Sequence, residues 1–344
     1  MAITSKLTAK DNTNTVDWLN VGLIFLSLFL AFKIPFELFL FAYAVLGPLH
    51  YLTQINWLNG KQFFVKEYKW IVVYIVFCCF LAVPMIFRLP AFKPYAETGL
   101  LKYYLPFVQT YFNDIFLVAL LFGGVLVFFS KWQYRLIGLC LSLIIGVTVL
   151  KLIPFSAVLF GAFLPSIIHV YLFTLLFMIY GSQKSKSVPG ILASVIMVLV
   201  PFIIMNTSVN PENYHPSAYI GNTFLAGEFQ VLNVYIGKFL GVMDEPSKFL
   251  LSRNGIRIQV FITFCYTYHY LNWFSKTTVI GWHKNISRKK SIVIGVLWLL
   301  SVALYAYDYR TGLAFLFFLS AMHVFMEFPL NITSVKGIIS GFKK

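Results

Sequence analysis

Between Pro189 and Asn206 the chain runs eighteen residues without one charged side chain. Such a run has no polar face to offer water, and about 20 predominantly apolar residues are enough to cross the hydrocarbon core of a bilayer. Ten segments approach or meet that rule: 16–32, 34–58, 70–88, 106–129, 134–153, 158–181, 189–206, 256–275, 291–307 and 311–332. Only 11% of the 344 residues are charged and 59% are apolar, against about 25% charged in an average soluble chain. These figures exclude a secreted disulfide scaffold, a disordered tail and a cytosolic enzyme. The expected fold is all-α: a polytopic membrane bundle of about ten transmembrane helices, one transmembrane domain over 1–344.

The net charge of +15 belongs to topology rather than to nucleic acid. A nucleic-acid binder gathers its basic residues on one surface, whereas here they fall in short clusters between the apolar runs. With the N-terminus in the cytoplasm, seventeen Lys and Arg face that side and ten face the other. The bias predicts cytoplasmic termini and a multi-pass protein of the cell membrane, the bacterial inner membrane being the expected one. Cys78, Cys79, Cys140 and Cys265 all sit inside apolar runs, so no bridge or zinc spacing is read. The polar N-terminus lacks a cleavage site after its apolar stretch, so the first run is expected to stay as a helix.

Residues 207–255 form the one long connection and are expected on the non-cytoplasmic side. Within them, Phe224 to Met243 is apolar except for Gln230, Asn233, Gly237 and Gly241, spaced three and four apart. That stripe predicts a helix lying in the membrane interface. The segment either covers an entrance or caps the bundle, and the cap is the favoured reading.

Ionisable groups at membrane depth are costly and need a reason. His50, His169, His269 and His323 fall in the second, sixth, eighth and tenth predicted spans. These spans share one parity, so all four run in the same direction. Each histidine lies past the middle of its span, at depths agreeing within about two helical turns at roughly 1.5 Å per residue. Four imidazoles at one depth can converge on one point, and imidazole is the commonest metal ligand. A single histidine would more simply be a hydrogen-bonded core residue; the set of four favours a shared metal site. Glu327 is four residues after His323, Gln54 four after His50 and Asn272 three after His269, positions suited to orient ligands. Glu327, Tyr266 and Tyr270 are the candidate catalytic residues, and Gln54 and Asn272 the candidate cofactor-binding ones. Asp114 is too far toward the outer side to join them. His215 and His283 are expected at the surface. No HxxxH or HxxHH box, GxSxG, GxGxxG, P-loop or HExxH is present.

Around these histidines the sequence resembles a known family. Gly47-Pro48-Leu49-His50, Ser166-Ile167-Ile168-His169, Phe264-Cys265-Tyr266-Thr267-Tyr268-His269 and Ala321-Met322-His323 resemble, in order, the histidine-bearing helices of the Brp/Blh-like β-carotene 15,15′-dioxygenases. Those membrane proteins cut β-carotene into two retinals with O₂ and non-haem iron. Where the family's first motif has a glycine after the histidine and then an aspartate, this chain has Tyr51 and Gln54. Where its third motif carries a second histidine, this chain has Trp273. The resemblance implies histidine-ligated iron in a helical bundle and oxidative cleavage of a carotenoid or other polyene.

The expected function is therefore a membrane-embedded oxygenase or oxidase using non-haem Fe(II), with O₂ as co-substrate and a lipophilic small molecule drawn from the membrane lipids. Two rivals stand beside it. One is a lipid-modifying transferase or hydrolase built on Asn272, Lys276, His283 and Lys284. The other is a transporter or assembly subunit whose histidines relay protons, although a proton route would spread titratable groups across the membrane.

Overall fold

The computed structural model describes residues 2–61, 68–243, 245, 248–281, 283 and 286–342. Lys66, Lys284, Lys343 and Lys344, part of the Lys and Arg count above, lie outside the described residues. Every described element is helical. Eight helices are long and apolar enough to cross a membrane: Thr13–Lys33, Pro35–Gly60, Trp70–Phe87, Trp132–Leu152, Phe155–Ser185, Val188–Asn206, Arg288–Tyr307 and Tyr309–Gly341. A bent pair, α5 (Leu101–Thr110) and α6 (Phe112–Phe128), makes a ninth if taken as one span; it turns by 69° at Tyr111. The bundle exposes continuous apolar surface. On α15 (Arg288–Tyr307), Ile292, Val293, Val296, Leu297, Leu299 and Leu300 all face outward, a surface suited to lipid and not to water.

The chain divides into two compact units. The first gathers the described residues of 1–50, 167–284 and 334–344, the second those of 51–166 and 285–333. In the second unit, α7 (Trp132–Leu152) packs on α6 through Gly138, Ser142 and Gly146, a buried stripe at i, i+4 and i+8. A Cβ on Gly138 would strike Val125, and one on Gly146 would come within 2.8 Å of Val118. Small residues at this spacing let two backbones approach, which supplies helix association where the hydrophobic effect cannot.

In the first unit, α1 (Ala2–Lys33) lies against α10 (Val188–Asn206) and α13 (Arg253–Ser275). Ser187 caps α10 by accepting from the Gly190 amide and donates to Asp17 of α1 at 2.6 Å. Helix α13 is buried along most of its length yet carries Arg257, Gln259, Thr263, Thr267, His269 and Asn272. It falls outside the apolar set because a helix walled in by protein needs no lipid face. Its direction follows from its partners on α2 (Pro35–Phe41) and α3 (Gly47–Lys61). Thr263 Oγ1 donates to the Pro35 carbonyl at 2.6 Å, Phe39 meets Tyr266, and His50 meets His269 and Trp273. Residue numbers rise together on the two sides, so α2 and α3 run parallel to α13 here, as the shared parity of the second and eighth segments predicts.

The 207–255 segment forms two short helices, α11 (Ala218–Ala226) and α12 (Gln230–Phe239). Two members of its polar stripe, Asn233 and Gly237, turn inward, while Gly241 is exposed. Asn233 is 1% exposed and donates to Gln259 Oε1 at 3.1 Å. Gly237 lies so close under Phe249 that a Cβ would collide with the ring. Arg257 donates to the Thr207 carbonyl, and Tyr214 to the Phe32 carbonyl, which holds the start of the segment against α13 and α1.

Candidate functional site

Two stretches of π-helix flank the histidines. Ala42–Leu46 leads directly into α3 and His50, and Leu159–Phe173 contains His169. The wider i→i+5 winding is rare, appears mostly as single turns inside α-helices, and is frequent at functional sites. Here it resets the register of two helices just where each contributes an imidazole.

Three of the four histidines meet in the first unit. His50 and His169 are each 1% exposed and His269 is 6% exposed. His50 Nε2 and His269 Nε2 stand 3.1 Å apart, with ring centres 4.6 Å apart. The His169 ring centre lies 5.1 Å from that of His269. Thr174, the first residue of α9 (Thr174–Ser185), places Oγ1 2.7 Å from His269 Nδ1. When Thr174 accepts from Nδ1–H, the lone pair of His269 is on Nε2, facing His50. Among the described residues, no three or more His, Cys, Asp or Glu side chains have the mutual spacing of a preformed metal cage; the arrangement is a close pair with a third ring alongside.

Aromatic side chains wall this cluster. Tyr270 lies 5.2 Å from the His50 ring and 5.5 Å from that of His269, and Trp273 stands edge-on to His50 at 5.5 Å. Tyr266 lies one turn before Tyr270, at 6.3 Å, and packs on Phe39 and Tyr43. Asn272 is buried on the same helix, close to its end. Thr174 was not among the residues singled out from sequence, and Trp273 was named there only as a departure from the family's third motif. Thr174 lies five residues after His169, one turn of the π-winding.

His323, Glu327 and Gln54 belong to the second unit. On α16 (Tyr309–Phe342), His323 stacks on Tyr51 at 4.2 Å, and one turn later Glu327 accepts a hydrogen bond from Gln54 Nε2. Glu327 is fully buried and Gln54 is 3% exposed. These two rungs, Tyr51 to His323 and Gln54 to Glu327, run in the same sense, so α3 and α16 are parallel here. Cys78 of α4 (Tyr68–Phe87) touches the Met322 sulfur at 3.7 Å.

His283 is exposed, with Nδ1 3.0 Å from the Thr277 carbonyl. At the end of α13, Asn20 accepts from Ser275 and Tyr268, and Lys276 follows. Burial pulls the Lys276 ammonium down to about 8, and nearby Asp17 opposes the shift.

The fold and these residues define a helical membrane protein with a buried imidazole cluster. No protein-family model, curated protein or solved structure matches the chain.

Proposed function

We propose that the protein is a ten-span enzyme of the cell membrane, both termini cytoplasmic, that oxidises a lipophilic substrate with O₂ at a non-haem iron held by His50, His169 and His269. The observation that carries this reading is the His50–His269 pair with Thr174 behind it. Two nitrogens bound side by side to one ion at about 2.0–2.1 Å lie roughly 3 Å apart, which the 3.1 Å separation matches. A metal-bound histidine normally engages its other ring nitrogen with a protein partner, the part Thr174 takes for His269. His169 is the adjacent third donor. Fe(II) bound by neutral imidazoles would supply open positions for O₂.

The chain's own residues do the rest. Thr174 fixes the ring of His269. Tyr270 and Trp273 close the flank of His50 against water, and Tyr266 continues that wall toward Phe39. Helix α13 is read as the tenth span, shielded from lipid by its neighbours. His323, with Glu327 and Gln54, stands in the other unit and is left out of the ligand set. Cleavage of a carotenoid or other polyene is the reaction that the family resemblance suggests.

The test is elemental analysis of detergent-purified protein after anaerobic Fe(II) reconstitution, for the wild type and for His50→Ala, His169→Ala and His269→Ala. Near-stoichiometric iron, lost in each variant, is expected. No iron in the wild type would sink the reading. The direct Nε2 to Nε2 contact would then favour the second one, an imidazole pair that passes a proton.

A further inference from the structure

The aromatic wall does not stop at Tyr266. Tyr266 packs on Phe39 at 5.3 Å and on Tyr43 at 5.8 Å. Both of those rings hold Phe229, at 4.9 and 5.5 Å, and Phe224 closes the group against Phe36, Phe39 and Phe229. An unbroken column of rings thus leads from the turn between α11 and α12, through Tyr266 and Tyr270, to His50 and His269.

The two phenylalanines of that turn differ. Phe224 is 1% exposed and anchors the end of α11. Phe229 is half-buried, and the residue before it, exposed Glu228, has φ of +59° without being a glycine. A non-glycine residue in the left-handed region costs energy and persists where its surroundings impose it. On the far side, α12 is fixed by the Asn233–Gln259 bond. The strain therefore lies in a short link between two anchored points, and its effect is to seat one ring.

We infer that the turn Phe224–Phe229 is a plug in the mouth of the histidine site, and that an apolar ligand reaches the histidines by taking the seat of the Phe229 ring between Phe39 and Tyr43. The inference rests on the reading of those histidines as the reacting site. The guest comes from the side on which 207–255 lies, and its leading part is apolar and of aromatic-ring size. Phe224 and α12 stay in place while Phe229 swings out and Glu228 relaxes.

The experiment places a reporter under the plug. Phe39→Cys is made alone and together with Phe229→Ala, Phe229→Leu or Glu228→Gly. Reaction of that cysteine with N-ethylmaleimide in detergent is followed by peptide mass spectrometry, with melting temperature and iron content recorded on each sample. Removing the ring with Phe229→Ala is expected to speed labelling at least about fivefold, with Phe229→Leu between it and the parent. Glu228→Gly lowers the cost of the seated turn and is expected to slow labelling. A change below about twofold in both Phe229 variants, at unchanged melting temperature, overturns the plug, as does faster labelling in Glu228→Gly. Iron content separates the two readings. The labelling pattern in protein that binds no iron keeps the plug and removes the oxygenase, whereas iron without the pattern removes only the plug.

Discussion

Thr174 Oγ1 lies 2.7 Å from His269 Nδ1, and this contact selects the nitrogen that His269 turns toward His50. Outer partners of metal-bound histidines typically contribute about 10–100-fold to metal affinity. Thr174→Val keeps the shape of the side chain and removes the hydroxyl. It is expected to weaken Fe(II) binding by about 10–100-fold, measured by anaerobic titration, whereas Thr174→Ser should retain most of the affinity. Equal binding by the valine variant would show that the hydroxyl does not orient a ligand.

The bond from Gln54 to Glu327 is buried in the second unit. Glu327→Leu strands the Gln54 amide in a buried setting, at a cost of about 1–3 kcal/mol. The double change Gln54→Leu with Glu327→Leu is expected to cost less than Gln54→Leu and Glu327→Leu added together, because neither partner is then left behind. Melting temperatures of the four proteins in one detergent give the comparison, and strict additivity would contradict it.

Lys276 titrates near 8 in the folded protein against 10.5 ordinarily. Between those values the unfolded chain binds the proton that the folded chain has released, so stability rises with pH across that window. Below about 8 the burial penalty is present in full. Lys276→Met should flatten the rise in melting temperature between pH 8 and 10.5 and leave the protein more stable near neutrality. A variant that melts with the wild-type pH dependence would show that another group titrates there.

Asn233 donates to Gln259, which donates in turn to the Pro35 carbonyl and to Thr263. Asn233→Leu removes the donor that satisfies Gln259 Oε1, and a loss of about 1–3 kcal/mol is expected. Hydrogen exchange should rise over residues 218–240 in that variant. Unchanged protection there would mean that the segment is held by its apolar contacts alone.

The sequence patterns carried much of this architecture, for identifiable reasons. Apolar runs are long-range in consequence but local in the chain, so helices such as Val188–Asn206 could be read directly. Parity gave the shared direction of α3 and α13, and depth brought His50, His169 and His269 within reach of one another. What stayed hidden depends on rotation about a helix axis. Gln54 lies four residues after His50 and Glu327 four after His323, yet nothing in either spacing says that these two side chains meet. The π-winding that carries His169 toward His269 has no signature in residue type. Asn233, part of a stripe that looked like a face for headgroups, instead donates to Gln259 of α13, and Gly237 lies under Phe249. Amphipathic spacing identifies a polar face without naming what lies opposite it.

Helix α13 has a consequence for how the protein is made. With Gln259, Thr263, Thr267, His269 and Asn272 along it and arginines at its start, it is a poor substrate for insertion into lipid on its own. Its principal neighbours, α1, α2, α10 and α12, all precede it in the chain. The surface that accepts α13 is therefore synthesised before α13 leaves the ribosome. Biogenesis can proceed by docking a polar helix onto helices already in the bilayer, and a chain whose early helices fail to assemble would leave His269 outside the membrane.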